Sequence, residues 1–524
     1  MDLFYKKALK PSALDYKLTR PFAFKDRPGT FAENYSAARD QMFTSGRSDS
    51  MANMLFHAYK PYLNHVNKTL KENGIVTQNF RLNGGLTIDK KDHTYAGLRN
   101  EIMHNPAYLM TKDGNPVAGY LGKNDFYYKK ANALINTIKE YPPSGRFEKK
   151  PNIVIFILES MGREYWGALN ETYDIPNYKG YTPFLDSLAR QSLIFPNGFA
   201  TSRKSIHGMP SILAGIPSFE TSYASSLYSR QKVGSVVSVA KELDYQTSFF
   251  HGAANGSMGL LGFSNILGFD NYYGRTEFNN DLEFDGSWGI WDEPFLGYVK
   301  SVLDQQRKPF LSSVFTITSH EPYVIPKDYE GKFDKGYLPM HQCVGYTDYA
   351  LRKFFEASKN SDWFENTIFI FTADHSNQPH FPFYEKTVNR FANPLMIFKS
   401  NSELKGVDMK LASHLDIFPT VADLIDYPKP FKCWGRSLVS NQNHEPFVIN
   451  YFSGGSYFMM NENLICVHNG NNAIGFYDVK DKNMENNLIK NKTQEMIDLE
   501  NKCSMFLEDY FESLMSGIGS SQKN

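Results

Sequence analysis

Polar side chains that could bind a metal ion and a phosphoryl group recur where predicted strands end. Glu159 follows one apolar run, His320 follows a second strand, and the Asp374-His375 pair follows a third. A loop between the first two is rich in hydroxyl groups and cations and contains Ser205. Carboxylate and imidazole groups suit Mn²⁺, Zn²⁺ or Mg²⁺, and such a cation lowers the pKa of a hydroxyl and neutralises phosphoryl oxygens. The pattern therefore predicts a hard-cation site with a hydroxyl nucleophile.

Each of these residues also has a purely structural interpretation. Glu159 could cap the following helix, and a hydroxyl in the loop could do the same for the next one. An isolated histidine such as His320 is more often structural than catalytic, and an Asp-His pair arises by chance. The order of the residues, on strand ends of one α/β unit, favours a shared site.

The loop around Ser205 has the composition of an anion-binding loop. Arg203 and Lys204 precede the serine, and an apolar helical stretch follows at 212–214. A helix N-terminus and neighbouring cations attract anions, and a serine beside a metal can act as a nucleophile. We therefore expect this loop to face a phosphate-like group.

The strand that carries Glu159 is the central element of the predicted fold. Residues 153–158 form a continuous apolar run, which indicates a strand buried on both faces as in a parallel sheet. Open α/β sheets bind their ligands beyond the carboxyl ends of such strands. Further strands are predicted at 246–250, 310–318, 367–372 and 394–398, and helices at 183–189 (with Thr182 as N-cap), 233–243, 346–356 and 415–425. This alternation predicts an α/β fold with a mostly parallel sheet and helices on both faces.

The length of 524 residues predicts more than one compact unit. We expect an N-terminal stem or helical segment at 1–148, with helices at 51–75 and 127–140, and a catalytic domain at 149–440. A C-terminal α+β subdomain is expected at 441–524. It would contain short antiparallel strands at 447–451, 456–460, 463–468 and 473–477 and a terminal helix at 493–515.

Composition excludes several classes of protein. The chain has 56 basic and 56 acidic residues. It therefore lacks the excess of basic residues that would indicate nucleic acid as a partner. The four cysteines are widely spaced and form no structural zinc pattern. No apolar run approaches the ~20 residues that span a bilayer, and no secretory signal precedes residue 30. We expect the chain as given to be soluble, with a membrane anchor that has been removed.

Several motifs resemble one family in sequence and in order. The chain resembles the lipoteichoic acid synthase branch of the alkaline phosphatase/sulfatase superfamily, whose members transfer phosphoglycerol or phosphoethanolamine groups. The resemblance covers about 150–440 and, more weakly, 80–115, where it is similar to the stem that follows the family's membrane helices. The matching motifs are Asn-Ile-Val-Ile-Phe-Ile-Leu-Glu-Ser-Met at 152–161, Arg-Lys-Ser-Ile-His-Gly at 203–208, Thr-Ser-His-Glu-Pro-Tyr at 318–323 and Thr-Ala-Asp-His-Ser at 372–376.

The resemblance implies a role for each site residue. Glu159, Ser205, Asp374 and His375 would bind one divalent cation, with Mn²⁺ favoured over Mg²⁺ or Zn²⁺. Ser205 stands where the family usually has threonine and would be the nucleophile. The family's substrate-contacting histidine matches His320.

Other features of the sequence refine this assignment. Arg203, Lys204 and His207 are further candidates for phosphate contact. The loop at 253–262 lacks the tryptophan and arginine that the family carries there. The loop at 205–208 does not fit the Cys/Ser-x-Pro-x-Arg motif of sulfatases, which disfavours sulfate-ester hydrolysis by that route.

The sequence thus predicts a metal-dependent phosphotransferase. Ser205 would take a phosphoglycerol or phosphoethanolamine-type group from a phospholipid head group, and a glycan or polymer hydroxyl would then accept it. His320 would contact the phosphate or act as a general acid. The expected location is outside the cytoplasmic membrane, at the bacterial cell envelope. One alternative is a phosphodiesterase or sulfatase-like hydrolase with water as acceptor, and another is an inactive binding domain.

Overall fold

The computed structural model describes residues 138–231, 233–442, 444–452, 455–481 and 484–516. Residues 1–137 of the predicted N-terminal segment, including the resemblance at 80–115, therefore lie outside the described residues. At the end of the predicted helix over 127–140, Ile138–Lys139 instead form a short strand. This strand pairs antiparallel with Phe431–Lys432. Its backbone hydrogen bonds go to a partner about 290 residues away, which a local helical pattern cannot reveal.

The strands carry labels in chain order. They are β1 (Ile138–Lys139), β2 (Asn152–Leu158), β3 (Leu193–Ile194), β4 (Gly198–Phe199), β5 (Gln246–His251), β6 (Asn271–Tyr273), β7 (Phe310–Phe315), β8 (Thr367–Ala373), β9 (Leu395–Lys399), β10 (Gly406–Val407), β11 (Ala412–Ser413), β12 (Phe431–Lys432), β13 (Val448–Tyr451), β14 (Tyr457–Met460), β15 (Leu464–His468) and β16 (Ala473–Asp478).

The helices are labelled in the same way. They are α1 (Pro183–Ala189), α2 (Ser205–Ala214), α3 (Val236–Glu242), α4 (Leu260–Leu267), α5 (Arg275–Phe278), α6 (Asp292–Leu303), α7 (Pro339–Ser358), α8 (Pro382–Glu385), α9 (Ile417–Leu424) and α10 (Gln494–Ser516). No helix of the described residues combines the length and the apolar character needed to cross a membrane.

One large sheet organises the fold, with the strand order β10-β3-β9-β8-β2-β7-β5-β6. Strand β9 runs antiparallel to both of its neighbours, and the other pairings are parallel. Strand β2 lies at the centre and is buried along its whole length. Helices cover the sheet, so the predicted α/β fold with a mostly parallel sheet is confirmed.

The side chains of β2 alternate between two layers, as the period of a strand requires. Val154, Phe156 and Leu158 pack in a core with residues of α1, α6 and α7. On that side the Phe156 ring lies edge-on to Phe354 of α7, with ring centroids 5.5 Å apart. Helix α3 contacts β5 and β7 and packs with α2 and α9. Apolar side chains on both faces of β2 account for its continuous apolar sequence.

The C-terminal region forms a second, antiparallel sheet of strands β13 to β16 in sequence order. These strands and the long helix α10 match the predicted C-terminal elements. The described residues up to Phe506 belong to one compact unit, and residues 507–516 of α10 belong to another. The domain boundaries at 148/149 and 440/441 stay predictions.

Helix α1 begins where the sequence predicts, but a distant carboxylate caps it. Thr182 precedes Pro183, yet its hydroxyl caps no backbone N–H group of the helix; it lies 3.1 Å from Asp186 Oδ1 and 3.3 Å from the Tyr165 carbonyl, both of which are acceptors. Asp348 of α7 accepts hydrogen bonds from the N–H groups of Phe184 and Leu185, each at 2.9 Å. A carboxylate at a helix N-terminus satisfies unpaired N–H groups and is favoured by the helix dipole.

Candidate active site

Strand β2 delivers Glu159 to the carboxyl edge of the sheet, where the side chain is 2% exposed. The next residue, Ser160, has a positive φ of 58°, which turns the chain away from the strand direction. The Ser160 hydroxyl donates to Glu159 Oε1 across 2.7 Å. On the other side, Glu159 N donates to Thr316 Oγ1 across 3.0 Å. The carboxylate is thus held by a rigid strand and by its two flanking segments.

Asp374 and His375 reach the same edge because β8 pairs in parallel with β2. In that pairing Leu158 lies opposite Ala373, so the next residues of both strands emerge side by side. His375 Nδ1 lies 2.8 Å from the Ser376 carbonyl, and a carbonyl accepts only, so Nδ1 carries the proton. His375 Nε2 therefore presents a lone pair, and it lies 3.2 Å from Asp374 Oδ2 and 3.9 Å from Glu159 Oε1.

Ser205 joins this cluster as the first residue of α2. Its side chain is buried, and Oγ lies 3.3 Å from Glu159 Oε2 and 3.2 Å from His375 Nε2. The helix predicted around 212–214 begins seven residues earlier, at the serine itself. A Cβ atom at Gly208 would lie 2.6 Å from the Asp374 carbonyl oxygen. A glycine at 208 therefore allows α2 to bring Ser205 next to the Asp-His pair.

The cluster has the properties of a divalent cation site. One ligand atom from each of Glu159, Asp374 and His375 lies within 4.8 Å of the others. Asp374 Oδ2 is buried without a hydrogen-bond donor, and it faces the His375 lone pair, so two acceptors point at each other. Burial and the charge of Asp374 raise the pKa of Glu159 well above its ordinary value. A cation would remove the repulsion between the two facing acceptors and between the carboxylates of Glu159 and Asp374, because all of these atoms could coordinate it.

The predicted phosphate contacts lie around Ser205 with different exposure. Arg203 and Lys204 are exposed, and His207 is half-buried. Burial, with the charge of Lys204, lowers the pKa of His207 to about 4, so this imidazole is neutral at pH 7 and offers no positive charge. Burial and the neighbouring Arg390 lower the pKa of Arg203. Arg390 Nε is itself buried without an acceptor among the described residues.

His320 lies on the adjoining loop after β7. Its ring contacts Trp288, with ring centroids 4.2 Å apart, and Nδ1 lies 3.0 Å from the Glu321 carbonyl. Within the described part of the chain, no hydrogen bond links His320 to Ser205 or to the acidic cluster. The structure thus brings Glu159, Ser205, Asp374 and His375 together, whereas His320 lies on the adjoining loop beside an aromatic ring.

The segment leading to His320 is fixed by a buried carboxylate. The predicted strand over 310–318 ends at Phe315. Beyond it, the N–H groups of Ile317 and Thr318 donate to the two oxygens of Asp292, at 2.8 and 3.3 Å. Ser319 Oγ donates to the Glu159 carbonyl. The loop therefore leaves the sheet because Asp292, rather than a strand neighbour, accepts from its backbone.

Sequence reasoning missed three residues near the site: His251, Trp288 and Arg390. His251 ends β5, one residue beyond the predicted strand, and is completely buried. His251 Nδ1 lies 3.2 Å from the Phe315 carbonyl, and Nε2 has no partner among the described residues. Burial lowers its pKa to about 4, and the charges of Asp374 and His320 also act on it. The strand-end rule that identified Glu159 would have identified His251, whereas the sequence carries no local signal for Trp288 or Arg390.

Comparisons with known proteins assign the family. The sequence model of the Sulfatase family matches residues 151–427, more than half of the chain. A lipoteichoic acid synthase of Staphylococcus aureus is 23% identical over 403 residues, which is 69% of this chain and 58% of that protein. Phosphoglycerol transferase I of Xanthomonas campestris is 22% identical over 340 residues, which is 61% of this chain and 47% of that protein. The chain thus spans about half the length of these relatives.

A solved structure supports the same fold. A protein in the alkaline phosphatase superfamily from Vibrio parahaemolyticus superposes with a TM-score of 0.64 and 24% identity, over 76% of this chain and 98% of that one. The match to the family model shows that the chain belongs to the sulfatase family, and the predicted resemblance to lipoteichoic acid synthases and phosphoglycerol transferases is confirmed.

Proposed function

We propose that this sulfatase-family enzyme transfers a phosphoglycerol or phosphoethanolamine-type group from a membrane phospholipid to a glycan or polymer hydroxyl. The observation that carries the proposal is the position of Ser205. Its Oγ lies within 3.3 Å of both Glu159 and His375, at the N-terminus of a ten-residue helix. A hydroxyl placed at the positive end of a helix dipole, beside a cation site, suits attack on an anionic phosphoryl group.

Four residues would hold the divalent cation: Glu159, Ser205, Asp374 and His375. Mn²⁺ is our proposed metal, since carboxylate and imidazole ligands accommodate it. When bound, the cation lowers the pKa of the Ser205 hydroxyl and neutralises phosphoryl oxygens. The buried carboxylates and the fixed His375 tautomer are the parts that the protein contributes to this site.

In the first half of the proposed reaction, Ser205 Oγ attacks the phosphorus of the lipid head group. A bond forms between Oγ and phosphorus, the bond from phosphorus to the diacylglycerol oxygen breaks, and the serine proton leaves to solvent. We propose that His320 gives a proton to the leaving oxygen, consistent with its place on the loop beside the cluster. In the second half, an acceptor hydroxyl gives its proton to His320 and its oxygen attacks the phosphorus. The bond from phosphorus to Ser205 Oγ breaks as the new oxygen–phosphorus bond forms, and Oγ takes a proton from solvent.

The neighbouring side chains suit a small polar head group. His251 Nε2 is a buried acceptor without a partner among the described residues, because Nδ1 faces the Phe315 carbonyl, so a head group would reach it only if the surrounding side chains moved. Trp288 beside His320 supplies an aromatic wall, although the loop at 253–262 contains no tryptophan. Arg203, Lys204 and Arg390 supply positive charge for the phosphate. His207 is neutral at pH 7 and is at most a hydrogen-bonding contact.

The proposed location follows from the proposed donor. A phospholipid donor places the enzyme at a membrane surface, and the named activities of the relatives support the outer side of the bacterial cytoplasmic membrane. Fractionation of cells that make the full-length gene product tests this, and recovery in the cytosol would contradict it.

The covalent intermediate provides the direct test of the chemistry. The protein is incubated with Mn²⁺ and phosphatidylglycerol or phosphatidylethanolamine, quenched in acid, digested and examined by mass spectrometry. We expect a phosphoglycerol or phosphoethanolamine adduct on the peptide that contains Ser205, together with free diacylglycerol. Ser202→Ala, which alters a nearby loop hydroxyl, is the matched control and should still form the adduct. An adduct on another residue, or diacylglycerol release by Ser205→Ala, would refute the proposed nucleophile.

The same assay separates the transferase from the hydrolase that shares this chemistry. With labelled donor, the label is followed into water-soluble head-group phosphate and into an added glycan acceptor. Transfer to the acceptor supports the proposed function, whereas release into water alone, whatever acceptor is added, favours the phosphodiesterase.

A further inference from the structure

A second cavity, separate from the Ser205 cluster, contains a buried arginine. The cavity has a volume of about 350 Å³ and lies between the loops after β2 and β3 and the C-terminal sheet. Arg163, four residues beyond Glu159, lines it and is 1% exposed. Buried arginines are normally paired with carboxylates. Among the described residues, no carboxylate forms an ion pair with Arg163.

The contacts of Arg163 leave much of its hydrogen-bonding capacity unused. Nε donates to the Tyr384 hydroxyl across 3.1 Å, and Nη1 donates to the Pro196 carbonyl. A guanidinium carries five N–H donors, so the two on Nη2 and one on Nη1 have no recorded acceptor in the described part of the chain. The polar end of this side chain therefore faces the cavity with free donors.

Aromatic rings surround the guanidinium without neutralising it. Its central carbon lies 4.6 Å from the centre of the Tyr173 ring, 5.5 Å from Tyr384 and 5.8 Å from Phe199. Such contacts offset only part of the cost of taking an unpaired ion out of water. The rings hold the guanidinium in place and leave room for an anion to complete its environment.

Much of the remaining lining is apolar. Leu411, Met460 and Ile465 form buried walls, and Met409, which is 45% exposed, stands at the mouth. Methionine side chains adapt to ligands of irregular shape. Two further cations, Lys386 and Lys480, and one carboxylate, Glu462, also line the cavity. With Arg163 the lining carries three positive charges and one negative charge, which favours an anionic ligand.

We propose that this cavity binds a single-chain carboxylate amphiphile, such as a fatty-acid anion, with its carboxylate on Arg163 and its chain along the methionine-lined wall. A carboxylate matches the fork of a guanidinium and would accept its free N–H groups. A flexible alkyl chain can lie along the apolar part of the lining. An esterified chain offers Arg163 a carbonyl acceptor but no negative charge and no bidentate pair. This site is independent of the phosphoryl-transfer chemistry.

Titration calorimetry with dodecanoate tests the proposal on the full chain. We expect saturable binding of one dodecanoate per chain, and binding of dodecanol or methyl dodecanoate that is weaker by about tenfold or more, because neither carries the negative charge that pairs with the guanidinium. Absence of saturable dodecanoate binding, or equal affinity for the alcohol, would overturn the proposal.

Two variants locate the site. Met409→Trp places a large ring at the mouth and should weaken dodecanoate binding by about tenfold or more. Val407→Trp is the matched control, since Val407 is also exposed on the same segment but does not line the cavity. Equal affinity in the two variants would contradict the assigned cavity.

Arg163→Met tests the anchor itself. The substitution should remove the preference for dodecanoate over dodecanol. A preserved preference would show that Arg163 does not bind the carboxylate. Should the loss of Arg163 prevent folding, the pair of exposed variants still decides the proposal, because neither touches the buried arginine.

Discussion

The backbone N–H of Ser160 donates to Asp374 Oδ1 across 2.7 Å, which joins the ends of the neighbouring strands β2 and β8. His375 N donates to the same oxygen across 2.9 Å. One oxygen of Asp374 therefore holds the backbone of the site, and the other, Oδ2, remains for the proposed cation. These two functions of one carboxylate can be separated by mutation.

Asp374→Asn should keep the backbone contacts and lose the metal. The amide oxygen can still accept from Ser160 and His375, whereas the amide nitrogen replaces Oδ2 and repels a cation. Without metal, the variant should be at least as stable as the wild type, because the repulsion between Asp374 and Glu159 is removed. Mn²⁺ at about 100 times its dissociation constant should stabilise only the wild type, by about 2.7 kcal/mol. Thermal melts with and without Mn²⁺ measure this, and an equal Mn²⁺ shift in both proteins would contradict the site.

Ser205→Ala should abolish turnover while the protein stays folded and binds Mn²⁺. Removal of a nucleophile should reduce the rate by at least about a thousandfold, whereas removal of a hydroxyl from the first turn of a helix costs at most about 1 kcal/mol. Steady-state diacylglycerol release and a denaturant melt measure the two effects. Activity close to that of the wild type would move the nucleophile to another hydroxyl in the loop or to water.

Gly208→Ala should reduce turnover by displacing α2. The added Cβ would lie 2.6 Å from the Asp374 carbonyl oxygen, so the first turn of α2, with Ser205, must shift away from His375. Gly297→Ala in α6 is the matched control, because nothing lies within 4 Å of its added Cβ. That control should gain up to about 1 kcal/mol from the better helix propensity of alanine. Kinetics show whether only Gly208→Ala lowers kcat, and full activity would argue against tight packing of α2 on Asp374.

His341 should make the stability of the protein depend on pH. Its Nδ1 accepts from the N–H groups of Tyr337 and Leu338, at 3.0 and 3.3 Å, and cannot take a proton while it does so. Burial lowers its pKa from 6.5 to about 4, so the unfolded chain binds more protons in this range. The free energy of unfolding should therefore be highest above pH 6.5 and fall as the pH drops towards 4, with about 2–3 kcal/mol from this residue.

His341→Gln separates the protonation of residue 341 from its hydrogen bonds to Tyr337 and Leu338. Glutamine keeps an acceptor for the two N–H groups but does not titrate, so the unfolding free energy should depend less on pH between 4 and 6.5. Urea melts at several pH values measure the slope. A slope as steep as that of the wild type would assign the acid sensitivity to other groups.

Local sequence patterns predicted the elements that carry the site. The apolar run of β2 is visible because both faces of the strand are buried, and the polar residues after β2 and β8 follow from the rule that ligands bind at strand ends. The long-range contacts were not visible. Asp348 caps α1 from a helix 164 residues away, and Asp292 ends β7 early by accepting from Ile317 and Thr318. No local periodicity encodes such pairs.

The same difference between local patterns and long-range contacts decides which site residues the sequence could predict. Glu159, Ser205, Asp374 and His375 lie in contiguous motifs, and the structure brings them together. Their roles stay predictions, as does that of His320. Trp288 and Arg390 approach the site from separate loops, so their positions depend on the folded chain alone.

The capping of α1 by Asp348 has a consequence for the order of events during synthesis on the ribosome. Residues 183–189 leave the ribosome well before residue 348. The first N–H groups of α1 therefore lack their acceptor until Asp348 has been synthesised. Asp374 and His375 are made later still, so the catalytic centre cannot assemble until β8 has joined the sheet beside β2. Domains form through such distant pairings slowly, and early segments remain exposed meanwhile. A nascent chain interrupted before residue 339 would expose the apolar face of α1 and β2, and would be a substrate for chaperones or proteases rather than a partly active enzyme.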